Sequence, residues 1–362
     1  MTDTRPVLLT VSGQIPADLD EAITAGQRPR ADYRVMQDTF DADIVDEQIA
    51  LAATGRFGGL LRRFAGVGPL LAWYCFRNRR DYEVIVTDGE QVGLPLAILD
   101  KFARGACARH MMIVHILSVP KKERLIRLTR IASNIDCYVV YCSWQADFIR
   151  DRLGVHQDKI LPTTFMVDTA FFTPDSVAVP RRRMICSAGL ERRDYPTLIQ
   201  AVDGLDVEVT VAAASPWSKQ HDSTTEVVVP DNVEIKRFDL FELRELYASS
   251  SFVVMPLYDV DFQAGITTIL EAMSMARPVV CTRTPGQTDT ITDDVTGIYV
   301  GIGDVAELRQ AIIGLLEDAE RTERLGRQAR EWVVAQADVV VYAERLAERV
   351  EALRAPPLGP TL

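Results

Sequence analysis

Along the chain, short apolar runs alternate with longer amphipathic stretches. "PVLLTVSG" (6–13) has the unbroken hydrophobicity of a strand buried on both faces, and it stops at Ser12-Gly13. "YEVIVTDGE" (82–90) stops at Asp88-Gly89 and is followed by an apolar helix, "QVGLPLAILDKFA". "RHMMIVHIL" (109–117) is a third run. "DCYVVYCSWQADFIRDRLG" (136–154) reads as a strand, then a helix capped by Ser143 and ended by Gly154. "KILPTTF" (159–165) closes the series. Over 171–183 the runs lapse and Pro174 and Pro180 appear, the composition of a linker.

The pattern then restarts. Strands are predicted in "RMICSAG" (183–189), "VEVTVAAA" (207–214), "NVEIKRF" (232–238), "SFVVMPLY" (251–258), "RPVVCTRT" (277–284) and "VTGIYV" (295–300). A helix opens at "DYPTLIQAV", with Asp194 as cap and Pro196 in the first turn, where a missing N–H costs nothing. Another lies in "LFELRELYASS" (240–250), and the tail is helical. Such alternation specifies parallel sheets covered on both faces. The expected class is α/β, with two Rossmann-like doubly wound domains at residues 1–175 and 182–337. A C-terminal helix near 338–355 is expected to pack back on the first. Ligands of such sheets bind at the carboxyl ends of the strands, so the expected site is a cleft between the domains.

The 362-residue length and 48% hydrophobic content agree with two globular domains. The start lacks a basic segment followed by an apolar stretch, and "FAGVGPLLAWYCF" (64–76) is shorter than the roughly 20 residues a bilayer requires. The expected location is therefore the cytoplasm. Six cysteines without a C-x-x-C pair read as reduced thiols, and the four histidines lack metal-ligand spacing. Net charge is −11, about −1 over residues 1–175 and −10 over the rest, which argues against a nucleic-acid partner.

Candidate chemistry concentrates in "DFQAGITTILEAMSMARPVV" (261–280). Ile266, Ile269, Leu270 and Met273 form one apolar helix face, and Glu271 falls off it, on the side of Thr267. The helix start after Gly265 offers free amides to a phosphate, from Ile266 and Thr267 onward. A carboxylate one turn further can accept two hydrogen bonds from a vicinal diol. Phosphate plus diol describes a nucleotide; the alternative is an ordinary solvated glutamate. In "SAGLERRDYPTL" (187–198), Gly189 ends a strand, and Arg192 and Arg193 follow before a helix. Two cations there suit a diphosphate, or are simply surface arginines.

Met255–Val300 resembles the donor-binding half of the glycosyltransferase family 4 enzymes, which have the GT-B fold. The resemblance extends through "SAGLERRDYPTLIQAV" and the V-D-x-x-x-F-x-P signature at Val167, Asp168, Phe172 and Pro174, and covers roughly residues 105–345. It implies that Glu271 is the second acid of an E-x7-E motif, on the ribose. Gln263 stands where the first acid is usual, near the donor sugar, and cannot carry charge. Arg193 takes the place of the family's phosphate-binding Lys, and Arg192 substitutes for an Arg found where Leu190 stands. Met166 and Ala276 replace usual glycines, and Asp289 replaces a usual Glu.

In the first domain, the resemblance puts His115 on the donor sugar; otherwise it is a polar strand-end residue. Ser12, Gly13 and Gln14 would face the cleft, with Gly13 small enough for a ligand to approach closely. Asp88, Gly89 and Glu90 would line the acceptor side. "FGGLLRRFAGVGPLLAWYCFRNRR" (57–80) and "KKERLIRLTRIA" (121–132) carry arginines beside apolar residues. In relatives such patches meet anionic membranes; the alternative is ordinary helix packing. Trp217, in "AAASPWSKQHDS", is a candidate stacking surface for the base, or a plain hydrophobic anchor.

The expected activity is retaining transfer of a sugar from a nucleotide-diphosphate sugar to an acceptor hydroxyl. His115, Arg193 and Gln263 are the catalytic candidates. Gly13, Gly189, Arg192, Arg193, Gly265, Ile266, Thr267 and Glu271 are the candidate donor contacts. No metal or other cofactor is expected. The alternative is a non-catalytic nucleotide-sugar-binding or scaffold protein, which Gln263 would suit.

Overall fold

A computed structural model describes residues 5–103, 108–212 and 228–354. The chain forms two compact units. Unit 1 comprises the chain up to Thr163 and again from Val340; unit 2 is Thr164–Val339.

Unit 1 begins with β1 (Arg5–Thr10), α1 (Leu19–Thr24), α2 (Asp32–Phe40) and β2 (Ala42–Val45). Next come α3 (Glu47–Ala65), α4 (Val67–Asn78), β3 (Tyr82–Asp88), α5 (Glu90–Lys101) and β4 (Arg109–Ile113). It continues with α6 (Pro120–Thr129), β5 (Cys137–Val140), α7 (Ser143–Asp147) and β6 (Ile160–Pro162). The strands make one parallel sheet in the order β2-β1-β3-β4-β5-β6, registered so that Val7 faces Ala42 on one side and Val84 on the other. The chain leaves β1 in one direction and returns to its other side with β3. The strand order therefore reverses between β1 and β3, where doubly wound sheets open a crevice.

Unit 2 starts with β7 (Met184–Ala188), α8 (Tyr195–Val202), β8 (Glu208–Ala212), β9 (Val233–Lys236), α9 (Leu240–Ser249) and β10 (Phe252–Met255). It ends with α10 (Ile266–Ser274), β11 (Val279–Thr282), β12 (Gly297–Val300), α11 (Val305–Glu317) and α12 (Ala319–Gln336). A final helix, α13 (Val339–Arg354), starts at the edge of unit 2 and runs on into unit 1. The second sheet is parallel too, in the order β12-β11-β10-β7-β8-β9. Its reversal lies between β7 and β10, which brings the loops after Ala188 and Met255 side by side.

Three sequence expectations are corrected. β2 was not anticipated: "ADIV" is short and flanked by Asp41 and Asp46, and only its place at the sheet edge beside β1 makes it a strand. Phe171 and Phe172, in the expected linker, are buried in the unit 2 core against α9, because two phenyl rings are worth about 1.5–3 kcal/mol each when covered. The chain passes from unit 1 to unit 2 earlier, at Thr163–Thr164. Ser143 is the first residue of α7 and not its cap; Cys142 holds that position without a side-chain capping bond. Asp194 does cap α8, accepting from the Thr197 amide at 3.2 Å.

Candidate active site

In unit 2 the loop after β7 and the loop after β10 are tied together. Asp194 N donates to Pro256 O at 3.0 Å, and Tyr258 N donates to Arg192 O at 3.1 Å. Gly189, which follows β7, and Gly265, at the far end of the loop after β10, have left-handed backbones, at φ 94° and φ 79°. A Cβ at Gly189 would come within 2.5 Å of a terminal nitrogen of Arg193, and one at Gly265 within 3.2 Å of its Cζ. Both glycines thus make room for one guanidinium. That group is buried, and it donates to Ala188 O at 2.9 Å and Glu191 O at 2.6 Å. Burial lowers its pKa. The Tyr195 hydroxyl holds the Gly189 carbonyl. Arg192, by contrast, is exposed and itself left-handed (φ 57°).

Gly265 caps α10, whose first-turn amides at Thr267 and Thr268 have no intrahelical acceptor. Ile266 is buried and Thr267 exposed. Glu271 is not the solvated glutamate of the alternative reading: it is 8% exposed, and its Oε2 accepts from the Tyr247 hydroxyl at 3.0 Å. Burial raises its pKa to about 7, against the lowering effect of the Tyr247 hydrogen bond. Tyr247, on α9, carried no sequence signal, since the pairing joins two helices separated by β10.

Gln263 is half-buried. Its Nε2 lies 3.5 Å from Thr290 Oγ1, and its Oε1 is buried with no partner among the described residues. A second amide, Gln287, was also missed by the sequence reading. It is fully buried, donates from Nε2 to Ala264 O at 2.9 Å, and its own Oε1 has no partner among the described residues. Gly286 N donates to Val260 O at 3.2 Å, so the loop after β11 clasps the one that leads to Gly265. Trp217 and its loop lie outside the described residues.

In unit 1 the reversal between β1 and β3 joins Ser12 to Asp88: Ser12 Oγ donates to Asp88 O at 2.9 Å. Gly13 is exposed in that loop, with open space where a Cβ would sit. His115 Nε2 is 3.0 Å from Asp88 Oδ1. Burial alone would lower the imidazole pKa, but Asp88, with Glu90 and Asp32, raises it overall. The backbone around His115 is fixed. Buried Glu90 accepts from the amides of His115 and Ile116 at 3.1 Å each and from Lys122 at 2.5 Å, and Gln145 donates to His115 O at 2.7 Å. Asp32, on α2, is a third carboxyl of this cluster, raised to about 6 by burial and then by Asp88.

The candidate residues therefore fall into two groups. Gly189, Arg192, Arg193, Gln263, Gly265, Ile266, Thr267 and Glu271 lie in unit 2, and Gly13 and His115 in unit 1. Among the described residues no group of three or more His, Cys, Asp or Glu could hold a metal ion, and no helix is long and apolar enough to cross a membrane.

Residues 187–318 match the family model "Glycosyl transferases group 1". The chain is 26% identical over 232 residues to D-inositol 3-phosphate glycosyltransferase of Stackebrandtia nassauensis, covering 57% of this chain and 52% of that protein. It thus spans about half the length of that relative. It is 26% identical over 289 residues to the GDP-mannose-dependent alpha-(1-6)-phosphatidylinositol monomannoside mannosyltransferase of Mycolicibacterium smegmatis, covering 72% and 75%. Among solved structures, Anabaena Alr3699/HepE in complex with UDP and glucose matches with a TM-score of 0.68 at 16% identity, over 96% of this chain and all of that one. Sucrose-phosphate synthase of Thermosynechococcus elongatus matches at 0.67 and 16%, over 96% and 99%. Residues 187–318 thus resemble the group 1 glycosyltransferases, and the chain as a whole has the GT-B fold, two doubly wound α/β units.

Proposed function

We propose that the protein is a retaining glycosyltransferase that takes its sugar from a nucleotide-diphosphate donor bound at the β7–β10 reversal of unit 2. The observation that carries this reading is the buried Glu271 one turn into α10, the helix whose capping Gly265 packs against Arg193. A buried carboxylate with one hydrogen bond is costly unless a ligand supplies further donors, and a ribose diol supplies two. The leaving diphosphate develops negative charge. Arg193, Arg192 and the first-turn amides of α10 are the groups assigned to it, and fixed donors of this kind need no reorganisation during reaction. His115, held by Asp88, is the unit 1 residue that the resemblance assigns to the transferred sugar. Gln263 is assigned to the same sugar as a neutral hydrogen-bonding group. Nucleotide sugars being cytosolic metabolites, the reading places the protein in the cytoplasm.

The acceptor side carries one further observation. Phe57, Leu60 and Phe64 are each more than half exposed along one face of α3. Between Glu47 and Asp81 there are six arginines and no acidic residue, in a chain of net charge −11. This surface supports contact with an anionic membrane and with it an acceptor presented there.

Thermal shift with UDP, GDP, ADP and their sugar conjugates, on wild type and Glu271→Ala, tests the donor site. Stabilisation by one nucleotide series, lost in the variant, is expected. No shift with any nucleotide would overturn the reading. Binding without release of nucleoside diphosphate, whatever acceptor is supplied, would favour the scaffold alternative.

A further inference from the structure

Tyr247 is 0% exposed, yet its hydroxyl is spent on a single carboxylate atom, Oε2 of Glu271. The phenol is fixed at both ends by the α10 segment. Arg277, just beyond that helix, donates from Nε to Tyr247 O at 3.0 Å and from Nη2 to Ala248 O at 2.6 Å. The Thr268 side chain hydrogen-bonds the phenol oxygen. α10 itself is held in place: Ser274 Oγ donates to Phe172 O at 2.5 Å, and Arg330 reaches Ser274 O. The ring therefore cannot move without breaking contacts on α9 and α10 together. Oε1 of Glu271 has no partner among the described residues.

We propose that Tyr247 is the positioning residue of the donor carboxylate. By holding Oε2 it fixes the side chain of Glu271 with Oε1 turned to the nucleotide. The inference rests on the assignment of Glu271 to the ribose and adds the group that makes Glu271 competent. A hydrogen bond from a buried hydroxyl favours the charged form of a carboxylate. Without it, burial acts alone and the carboxyl holds its proton to higher pH, when one oxygen becomes a donor and no longer accepts from a diol. The other titratable groups around the pair are Cys186 of β7, whose thiol burial pushes up to about 12, and Arg193, which stays cationic. Arg277, which holds Tyr247 O, is lowered by burial only to about 10, so none of the three changes charge near neutrality and Glu271 is the group of this cluster that titrates there; the terminal phosphate of the nucleotide titrates at about 6 and contributes equally to every variant.

The test is calorimetric titration of Tyr247→Phe with UDP, GDP and ADP from about pH 6 to pH 9, beside wild type and Glu271→Gln. Wild type is expected to lose affinity as pH falls through neutrality. Tyr247→Phe should bind roughly tenfold more weakly, as for a lost hydrogen bond to a charged group, with the midpoint of the pH curve moved upward. Glu271→Gln should reduce that curve to the titration of the nucleotide's own phosphate, and adding Tyr247→Phe to it should change nothing more. An unchanged midpoint in Tyr247→Phe, even with a lower melting temperature, would reduce the tyrosine to a packing role and overturn the inference. Unimpaired nucleotide binding by Glu271→Gln would instead overturn the ribose assignment. Should Tyr247→Phe not fold, Thr268→Ala, which frees the phenol, must move the midpoint in the same direction; no movement there also overturns it.

Discussion

The guanidinium of Arg193 lies against the backbone of Gly265, close enough that a methyl group on that glycine would meet its Cζ at 3.2 Å. Gly265 is also left-handed, so Gly265→Ala combines backbone strain of about 1–2 kcal/mol with displacement of the cation. The expected result is a lower denaturant midpoint and at least a tenfold loss of nucleoside diphosphate affinity. Arg193→Lys should lose as much affinity with less effect on stability, because an ammonium cannot serve Ala188 O and Glu191 O in the same fork. Chemical denaturation and calorimetry on both variants separate strain from charge.

Ala276 follows the last turn of α10 with φ 54°, a conformation that disfavours any residue with a Cβ. Ala276→Gly removes that strain and gives back part of it through the looser unfolded chain. A net gain of about 0.5–1 kcal/mol is expected, with nucleotide binding unchanged. Differential scanning calorimetry would register it as a melting temperature raised by a few degrees; a lower one would contradict the strain.

Glu271 has a folded-state pKa near 7 against an ordinary 4.5. The protonated form is therefore the one the free fold prefers. That contribution is complete below pH 4.5 and is lost as pH rises through about 7. At pH 8 the ionised, unliganded carboxylate costs up to about 3 kcal/mol. Glu271→Gln keeps the Tyr247 hydrogen bond and removes the charge, so it should stabilise the free protein at pH 8, do little at pH 5, and weaken nucleotide binding. Urea titrations at the two pH values check the sign.

Asp88 faces His115 across 3.0 Å, and both side chains are about one-third exposed. The carboxylate raises the imidazole pKa, so their mutual attraction is present below the ordinary value of 6.5 and fades as pH rises through the elevated one. In Asp88→Asn the His115 resonance in an NMR titration should shift to lower pH. An unmoved titration would mean that the pair does not persist in solution.

The exposed ridge of α3 makes its own forecast. Vesicles rich in anionic phospholipid should retain the protein at low salt and release it as salt rises, since screening shortens the reach of the arginines. Replacing Phe57, Leu60 and Phe64 together by Ser should abolish retention and leave nucleotide binding intact. Co-sedimentation measures both dependences; retention by neutral vesicles alone would point away from this surface.

Eleven of the twelve strands follow from apolar runs, because a strand buried on both faces must be hydrophobic at nearly every position. "ADIV" escapes, since an edge strand flanked by aspartates carries no such run. Gly189, Arg193, Gly265 and Glu271 are legible for a related reason. Strand ends and helix starts are local features, and the reversal of strand order brings them together. What sequence could not show is which way each polar group is used. Arg193 reads as an exposed cation and is buried on two carbonyls. Tyr247 and Gln287 belong to no local motif, because their partners Glu271 and Ala264 lie about two dozen residues away and meet them only after packing.

Helix α13 has a consequence for how the protein is made. Its Tyr342 is fully buried, with its hydroxyl 3.1 Å from that of Tyr141, and Arg345 donates to Thr163 at 2.9 Å. Unit 2 is continuous in sequence and can fold as soon as it leaves the ribosome. Unit 1, although synthesised first, waits through all of unit 2 for the helix that fills its last slot. Biogenesis thus runs against chain order, and the slot that Tyr342 fills stays open until the last helix has been made.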